Sequence, residues 1–203
     1  MEFQLYIVSG PCAELHYLYV LMNGVHLHSQ YFQKSLLICS YELPPNERVM
    51  CLKYTDRFAI EPNGPKVPLL LVCVCVTSGQ LDVEICGGKL YVFKIDLAPH
   101  EKTVPLELAW VKDMGRCVMA CEVMCHRDQE YVVLAKGASI GVVSGWSKIS
   151  LMDMTKREEL GEQYDIANYV TSLTVIKNTV LISDLNHGLT FLIWTVVPII
   201  CCY

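Results

Sequence analysis

The sequence predicts an all-β fold assembled from short antiparallel meanders. Three observations carry this. Apolar residues recur with period two over short runs, the repeat of a pleated strand. Turn formers separate the runs: Asn23-Gly24, Pro44-Pro45-Asn46, Pro62-Asn63-Gly64-Pro65, Gly87-Gly88, Lys136-Gly137 and Gly145. Sustained helical periodicity is missing. Short strands at such spacing fit a sandwich, a barrel or a propeller.

In chain order, the predicted strands are 3–9, 17–22, 35–41, 48–54, 69–76, 89–95, 106–112, 117–124, 130–135 and 147–152. The run 69–76 (LLLVCVCV) is apolar on both faces and belongs in the interior of a sheet. After it comes a polar gap, then Gly87-Gly88 as a turn. The following strand alternates, with Leu90, Val92 and Lys94 on one side and Tyr91, Phe93 and Ile95 on the other. Only 153–163 (DMTKREELGEQ) has helix-former composition; it is too short and too polar to be more than a connecting turn.

The clearest stretch is 164–194. Tyr169, Thr171, Leu173 and Val175 alternate with Val170, Ser172, Thr174 and Ile176 over 169–176. Lys177-Asn178 make a two-residue break, and 179–183 resume as an apolar, β-branched run. Asp184 to Gly188 turn the chain again into a third run, 189–194. Strand, tight turn, strand, turn, strand is an antiparallel meander, and it has the look of one blade of a repeated structure. The outline of a glycine followed by alternating apolar residues recurs at 88–93 and 188–191. The Gly-His and Trp-Asp signature of WD repeats is absent.

Composition narrows the function classes. The chain has 203 residues, long enough for a substantial core. At 53% hydrophobic and 18% charged residues it is apolar for a free-standing soluble domain, which points to buried strands or a surface meant for a partner. The net charge of -5 is the wrong sign for an electrostatic nucleic-acid binder. RNA or DNA contact is therefore expected to be local or made through a partner. The eleven cysteines sit mostly inside apolar runs, among them Cys39, Cys51, Cys73, Cys75, Cys117 and Cys121, and the N-terminus shows no signal peptide. That reads as buried thiols in a reducing compartment, not as a disulfide framework. The apolar run 189–203 is shorter than a spanning helix and is broken by Pro198, so no membrane anchor is expected.

No catalytic signature emerges. A Gly-x-Ser-x-Gly elbow is absent, and Gly137, Gly141 and Gly145 lack the lysine and hydroxyl that complete a phosphate loop. Asp96, Asp153, Asp165 and Asp184 stand at strand ends or turns, where aspartate serves local backbone hydrogen bonds. No cofactor is implied. The sharpest metal candidate is Cys117, Cys121, Cys125 and His126, spaced C-x3-C-x3-C-H. Zinc sites favour pairs of cysteines with a second pair farther on, and none follows before Cys201-Cys202. A cysteine-lined strand face is the plainer reading. His26 and His28 would share one side of a strand, but no local carboxylate or third histidine joins them. Tyr17, Tyr19 and Tyr31-Phe32 near Lys34, and Tyr91 and Phe93 near Lys89 and Lys94, could stack on bases; half-buried strand positions are the commoner explanation.

Several motifs carry a family resemblance: 47–53 (ERVMCLK), 88–93 (GKLYVF), the strands 118–124 and 147–152, and above all 166–170 (IANYV) followed by Lys177-Asn178 and 180–185 (VLISDL). In order and spacing they resemble the CPSF-A family. Its members include the large subunit of the cleavage and polyadenylation specificity factor, a splicing-factor propeller subunit and the large damaged-DNA-binding protein. The resemblance implies a partial β-propeller of about four blades. It divides the chain into N-terminal strands 1–46, a propeller segment 47–194 and an atypical tail 195–203 that resembles a premature terminus. The segment 136–146, rich in Gly and Ser, resembles an insertion within a blade.

The resemblance further implies a non-catalytic scaffold in the nucleus, bound to other protein subunits, with no membrane partner. Cys51-Leu52-Lys53 and Lys177-Asn178 lean toward the polyadenylation subunit, and Ile166-Ala167-Asn168-Tyr169 toward the splicing one. The competing class is a small-molecule-binding β-barrel. A partial propeller would expose sheet edges, so poor solubility of the chain alone is expected.

Overall fold

The computed structural model describes the backbone of residues 3–9, 14–21, 24–31, 34–60, 64–78, 84–96, 106–126, 129–137, 147–166, 170–184, 188–193 and 200–201. Side chains are described from Ser40 onward within these ranges, except at 84, 126, 129, 147, 161–166 and 200–201. Among the described residues there are strands and turns and no helix.

Among the described residues, four sheets follow one another along the chain, each a four-stranded antiparallel meander whose spatial order is its chain order. The first comprises β1 (Phe3–Ser9), β2 (Glu14–Leu21), β3 (Gly24–Tyr31) and β4 (Lys34–Glu42). The second comprises β5 (Glu47–Thr55), β6 (Leu69–Ser78), β7 (Glu84–Ile95) and β8 (Leu106–Asp113). The third comprises β9 (Val118–His126), β10 (Gln129–Lys136), β11 (Ser147–Asp153) and β12 (Glu158–Ile166). The fourth comprises β13 (Val170–Ile176), β14 (Thr179–Asp184), β15 (Gly188–Ile193) and β16 (Ile200–Cys201).

The sheets stack face to face. Period-two alternation sends one set of each central strand's side chains to the preceding sheet and the other set to the next. Leu70, Val72, Val74, Tyr91 and Phe93 enter a core shared with Tyr41 and Leu43 at the end of the first sheet. Leu69, Leu71, Cys73, Leu90 and Val92 enter a second core with Val118, Cys121, Val132, Leu134 and Met152 of the third sheet. Val133, Ala135, Ile149 and Leu151 turn the other way, onto Val170, Leu173, Val180 and Ile182 of the fourth. Sheets buried on both faces account for the high apolar content.

The first strands of successive sheets adjoin, β1 with β5, β5 with β9 and β9 with β13. This is a propeller-like row of four blades, not closed into a ring. Among the described residues the four sheets are separate, whereas a single closed barrel needs one continuous hydrogen-bonded sheet.

Backbone hydrogen bonds carry the pairing within the second and third sheets past their strand ends. Met114 N donates to Gly88 O at 2.9 Å, and Gly137 N donates to Cys117 O at 2.7 Å. Gly88 lies inside β7, so Gly87-Gly88 is not a turn. A register shift between Val76 and Thr77 places a bulge at Cys86. The glycine serves close backbone approach: a Cβ there would overlap Arg116 O and lie 2.7 Å from Cys117 Cα and from Val74 O.

The stretch read as a connecting turn at 153–163 is a turn only over 154–157, with Arg157 at φ 58°, and then becomes β12. Its polar composition reflects its place at the outer edge of the third sheet, where it pairs with β11 through Glu158, Glu159 and Leu160.

Candidate functional site

The first strands of the second, third and fourth sheets line a cleft of about 350 Å³. Its walls are Met50–Lys53 of β5, Met119–Glu122 of β9 and Thr171–Leu173 of β13. Each wall is the innermost strand of its own meander, so three stretches far apart in sequence converge at one place.

An ion pair spans the cleft between the second and third sheets. Lys53 Nζ lies 2.6 Å from Glu122 Oε1 and donates to Oε2 at 2.7 Å. Glu122 Oε1 also accepts from Val123 N at 3.0 Å, which orients the carboxylate. Lys53 remains about one-third exposed, so the pair contributes about 1 kcal/mol or less to stability and chiefly sets the polarity of the opening. On the far side, Thr171 and Ser172 are exposed, and Thr171 Oγ1 donates to Ser183 O at 3.1 Å.

Below the ion pair, thiols gather at the junction of the sheets. Cys51 Sγ and Cys121 Sγ are 3.9 Å apart. Cys73 is the register partner of Cys51 on β6 and is fully buried. Hydrogen bonding from Cys121, and next from Cys73, pulls the Cys51 thiol below its ordinary range against the opposing effect of burial. Cys121 is pushed up, first by its bond to Cys51. Cys73 is pushed up by its bonds to Cys121 and Cys51 and by burial. Cys75 and Cys117 form a second such pair, Cys75 lowered by the bond from Cys117 and Cys117 raised by the same bond and by burial.

A family model described as the CPSF A subunit region matches residues 23–198. The chain belongs to the CPSF A family. No curated protein gave a match. In this CPSF A chain the matched region begins just before β3 and runs through β15, so it takes in all of the second and third sheets. CPSF A is a scaffold-type, propeller-like family whose members are subunits of multi-protein complexes.

The strand geometry of this CPSF A chain separates the cysteines of the metal candidate, already read from the sequence as a cysteine-lined strand face. Four strand residues span about 13 Å, so Cys117, Cys121 and Cys125 do not converge on one point. A bulge at Met119 also changes the phase of β9: Ala135 pairs with Ala120 but Lys136 with Val118, and Val118 instead of Cys117 joins Cys121 in the core. Cys117 lies with Cys75, Cys121 with Cys51, and Cys125 is exposed. His126 ends β9, its side chain outside those described. Among the described residues, no group of three His, Cys, Asp or Glu side chains fits a metal ion.

His26 and His28 pair in register with Tyr19 and Tyr17 on β2, and their side chains also lie outside the described set, as do those of Tyr17, Tyr19, Tyr31 and Phe32. Tyr91 and Phe93 are buried with rings stacked at 6.2 Å, which removes them as base-stacking platforms. Sequence reasoning quoted Lys53 but missed Glu122, Thr171 and Ser172. The usable signal was that each belongs to the first strand of a four-strand unit.

Proposed function

We propose that this segment is a non-catalytic scaffold of a nuclear RNA-processing complex, most like the large propeller subunit of the pre-mRNA cleavage and polyadenylation factor. The family match over consecutive sheets carries the reading. The polyadenylation branch rests on the motifs Cys51-Leu52-Lys53 and Lys177-Asn178. The cleft on β5, β9 and β13 is the docking place for another protein subunit: it is partly apolar, is flanked by a fixed ion pair and has hydroxyls on its far wall. With a net charge of -5, association with RNA or DNA is local or runs through that partner.

The fourth sheet supports a role within a larger circular assembly. In the second and third sheets, the second and third strands supply apolar faces to the next sheet. The same strands of the fourth, β14 and β15, present Leu189 and Phe191 to solvent, with Leu181 paired opposite Phe191. A further blade seated there would complete the pattern.

The test is affinity purification of the tagged full chain from nuclear and cytosolic fractions, with the co-purifying proteins identified. Nuclear recovery with pre-mRNA 3′-end-processing subunits, lost when Lys53 and Glu122 are exchanged for alanine, is the expected result. Recovery with splicing or DNA-damage-adaptor subunits instead would move the chain to another branch of the family. Recovery with none of these would overturn the reading.

A further inference from the structure

We propose that Cys51 and Cys121 are a peroxide-responsive thiol pair that closes into a disulfide across the junction of the second and third sheets. The inference is independent of which complex the chain serves. Its basis is placement. The two sulfurs lie 3.9 Å apart on strands of different sheets, 70 residues apart in sequence, and need only close to bonding distance, about 2 Å. Both residues line the cleft, which gives a small oxidant a route to Cys51. Cys51 is partly exposed, whereas Cys121 and Cys73 are buried. An oxidant therefore meets Cys51 first, with Cys121 behind it as the resolving thiol.

The electronic order agrees with the geometry. Cys121 and Cys73 hydrogen-bond to Cys51 and favour its thiolate, while the bond to Cys51, and burial, hold Cys121 protonated against the opposing effect of Cys73. In the first step the Cys51 sulfur attacks one peroxide oxygen. The O–O bond breaks, the other oxygen leaves as water or an alcohol, and Cys51 becomes a sulfenic acid. Cys121 sulfur then attacks Cys51 sulfur, the S–O bond breaks, and a second oxygen leaves as water with the Cys121 proton. Two thiols have lost two electrons, and the peroxide has gained them. The product ties β5 to β9 covalently at the cleft and fixes the angle between two blades. A thiol reductant restores the open pair.

The experiment treats the folded full chain with a small excess of hydrogen peroxide, blocks remaining thiols, and maps peptides by mass spectrometry. The expected result is a species lighter by two hydrogens, with Cys51 linked to Cys121 and Cys51 consumed about tenfold faster than the exposed Cys125, because the neighbouring thiols favour the Cys51 thiolate. Cys73→Ala should retain the link. Cys121→Ser should lose it and leave a Cys51 sulfenic acid that a dimedone probe traps. Where Cys121→Ser does not fold, the wild-type map decides alone. A first link between Cys51 and Cys73 or between Cys75 and Cys117, or no preference for Cys51 over Cys125, overturns the proposal.

Discussion

Lys89 Nζ donates to Glu47 Oε1 at 2.6 Å, and the carboxylate it meets is 1% exposed while the lysine is 33% exposed. Tyr91 OH donates to the other oxygen, Oε2, at 2.7 Å. The two partners are therefore unequal. Removing Lys89 leaves a buried carboxylate that cannot reach water, whereas removing the charge at Glu47 leaves a lysine that can turn outward. Lys89→Met should cost about 3–5 kcal/mol and Glu47→Gln about 1–2 kcal/mol. Urea midpoints at unchanged slope measure both; equal costs would show that the lysine is as trapped as the carboxylate.

Alkaline pH should weaken the same site. Burial first, and the hydrogen bond to Glu47 second, hold the Tyr91 hydroxyl above its ordinary value of 10.0. A group whose folded value is raised stabilises the fold fully below its unfolded value. That stability is lost as pH climbs from about 10 toward the folded value, because the unfolded chain ionises first. Stability against pH should slope downward in this window. Tyr91→Phe should be less stable at neutral pH and show a shallower slope.

The two neighbouring glycines make a controlled pair. A Cβ at Gly87 meets nothing within 4 Å, whereas at Gly88 it overlaps the backbone that enters the third sheet. Gly88→Ala should destabilise by about 1–3 kcal/mol or more, with Gly87→Ala within about 0.5 kcal/mol of the parent. Thermal melts of the two variants side by side check this.

Lys177 opens the two-residue turn between β13 and β14 with φ 58°, a left-handed conformation for a residue that bears a Cβ. Asparagine tolerates that region better. Lys177→Asn should stabilise by a few tenths of a kcal/mol up to about 1 kcal/mol, read from the denaturation midpoint. Lys177→Val should lose at least as much.

The open face of the fourth sheet should drive self-association. Leu189 and Phe191, two residues apart on β15, are 65% and 47% exposed, and large apolar side chains exposed together on one strand favour a cover. Phe191→Lys should lower the concentration-dependent mass seen by sedimentation and leave the melting temperature nearly unchanged. A parent chain that stays monomeric at high concentration would show that the face needs no cover.

Much of the fold could be read from residue alternation. The run 69–76 and the alternation of Leu90 and Val92 against Tyr91 and Phe93 foretold two-faced central strands, and both lie between two cores. The strands at the rims were harder. β12 is polar because its sheet ends there, and composition alone made it resemble a helix-forming turn. The cleft was not legible at all: Lys53 and Glu122 stand 69 residues apart, and their meeting follows from the stacking of whole sheets, which no local pattern encodes. Regular spacing misled at Cys117, because the bulge at Met119 shifts the strand's phase by one residue.

The cleft borrows one wall from each of three sheets. An occupant can grip only while the three keep their mutual angles, so whatever settles there acts as a clamp on the whole row. Heat resistance and occupancy must then rise together, and the tightest guests will be those that also make the host hardest to unfold.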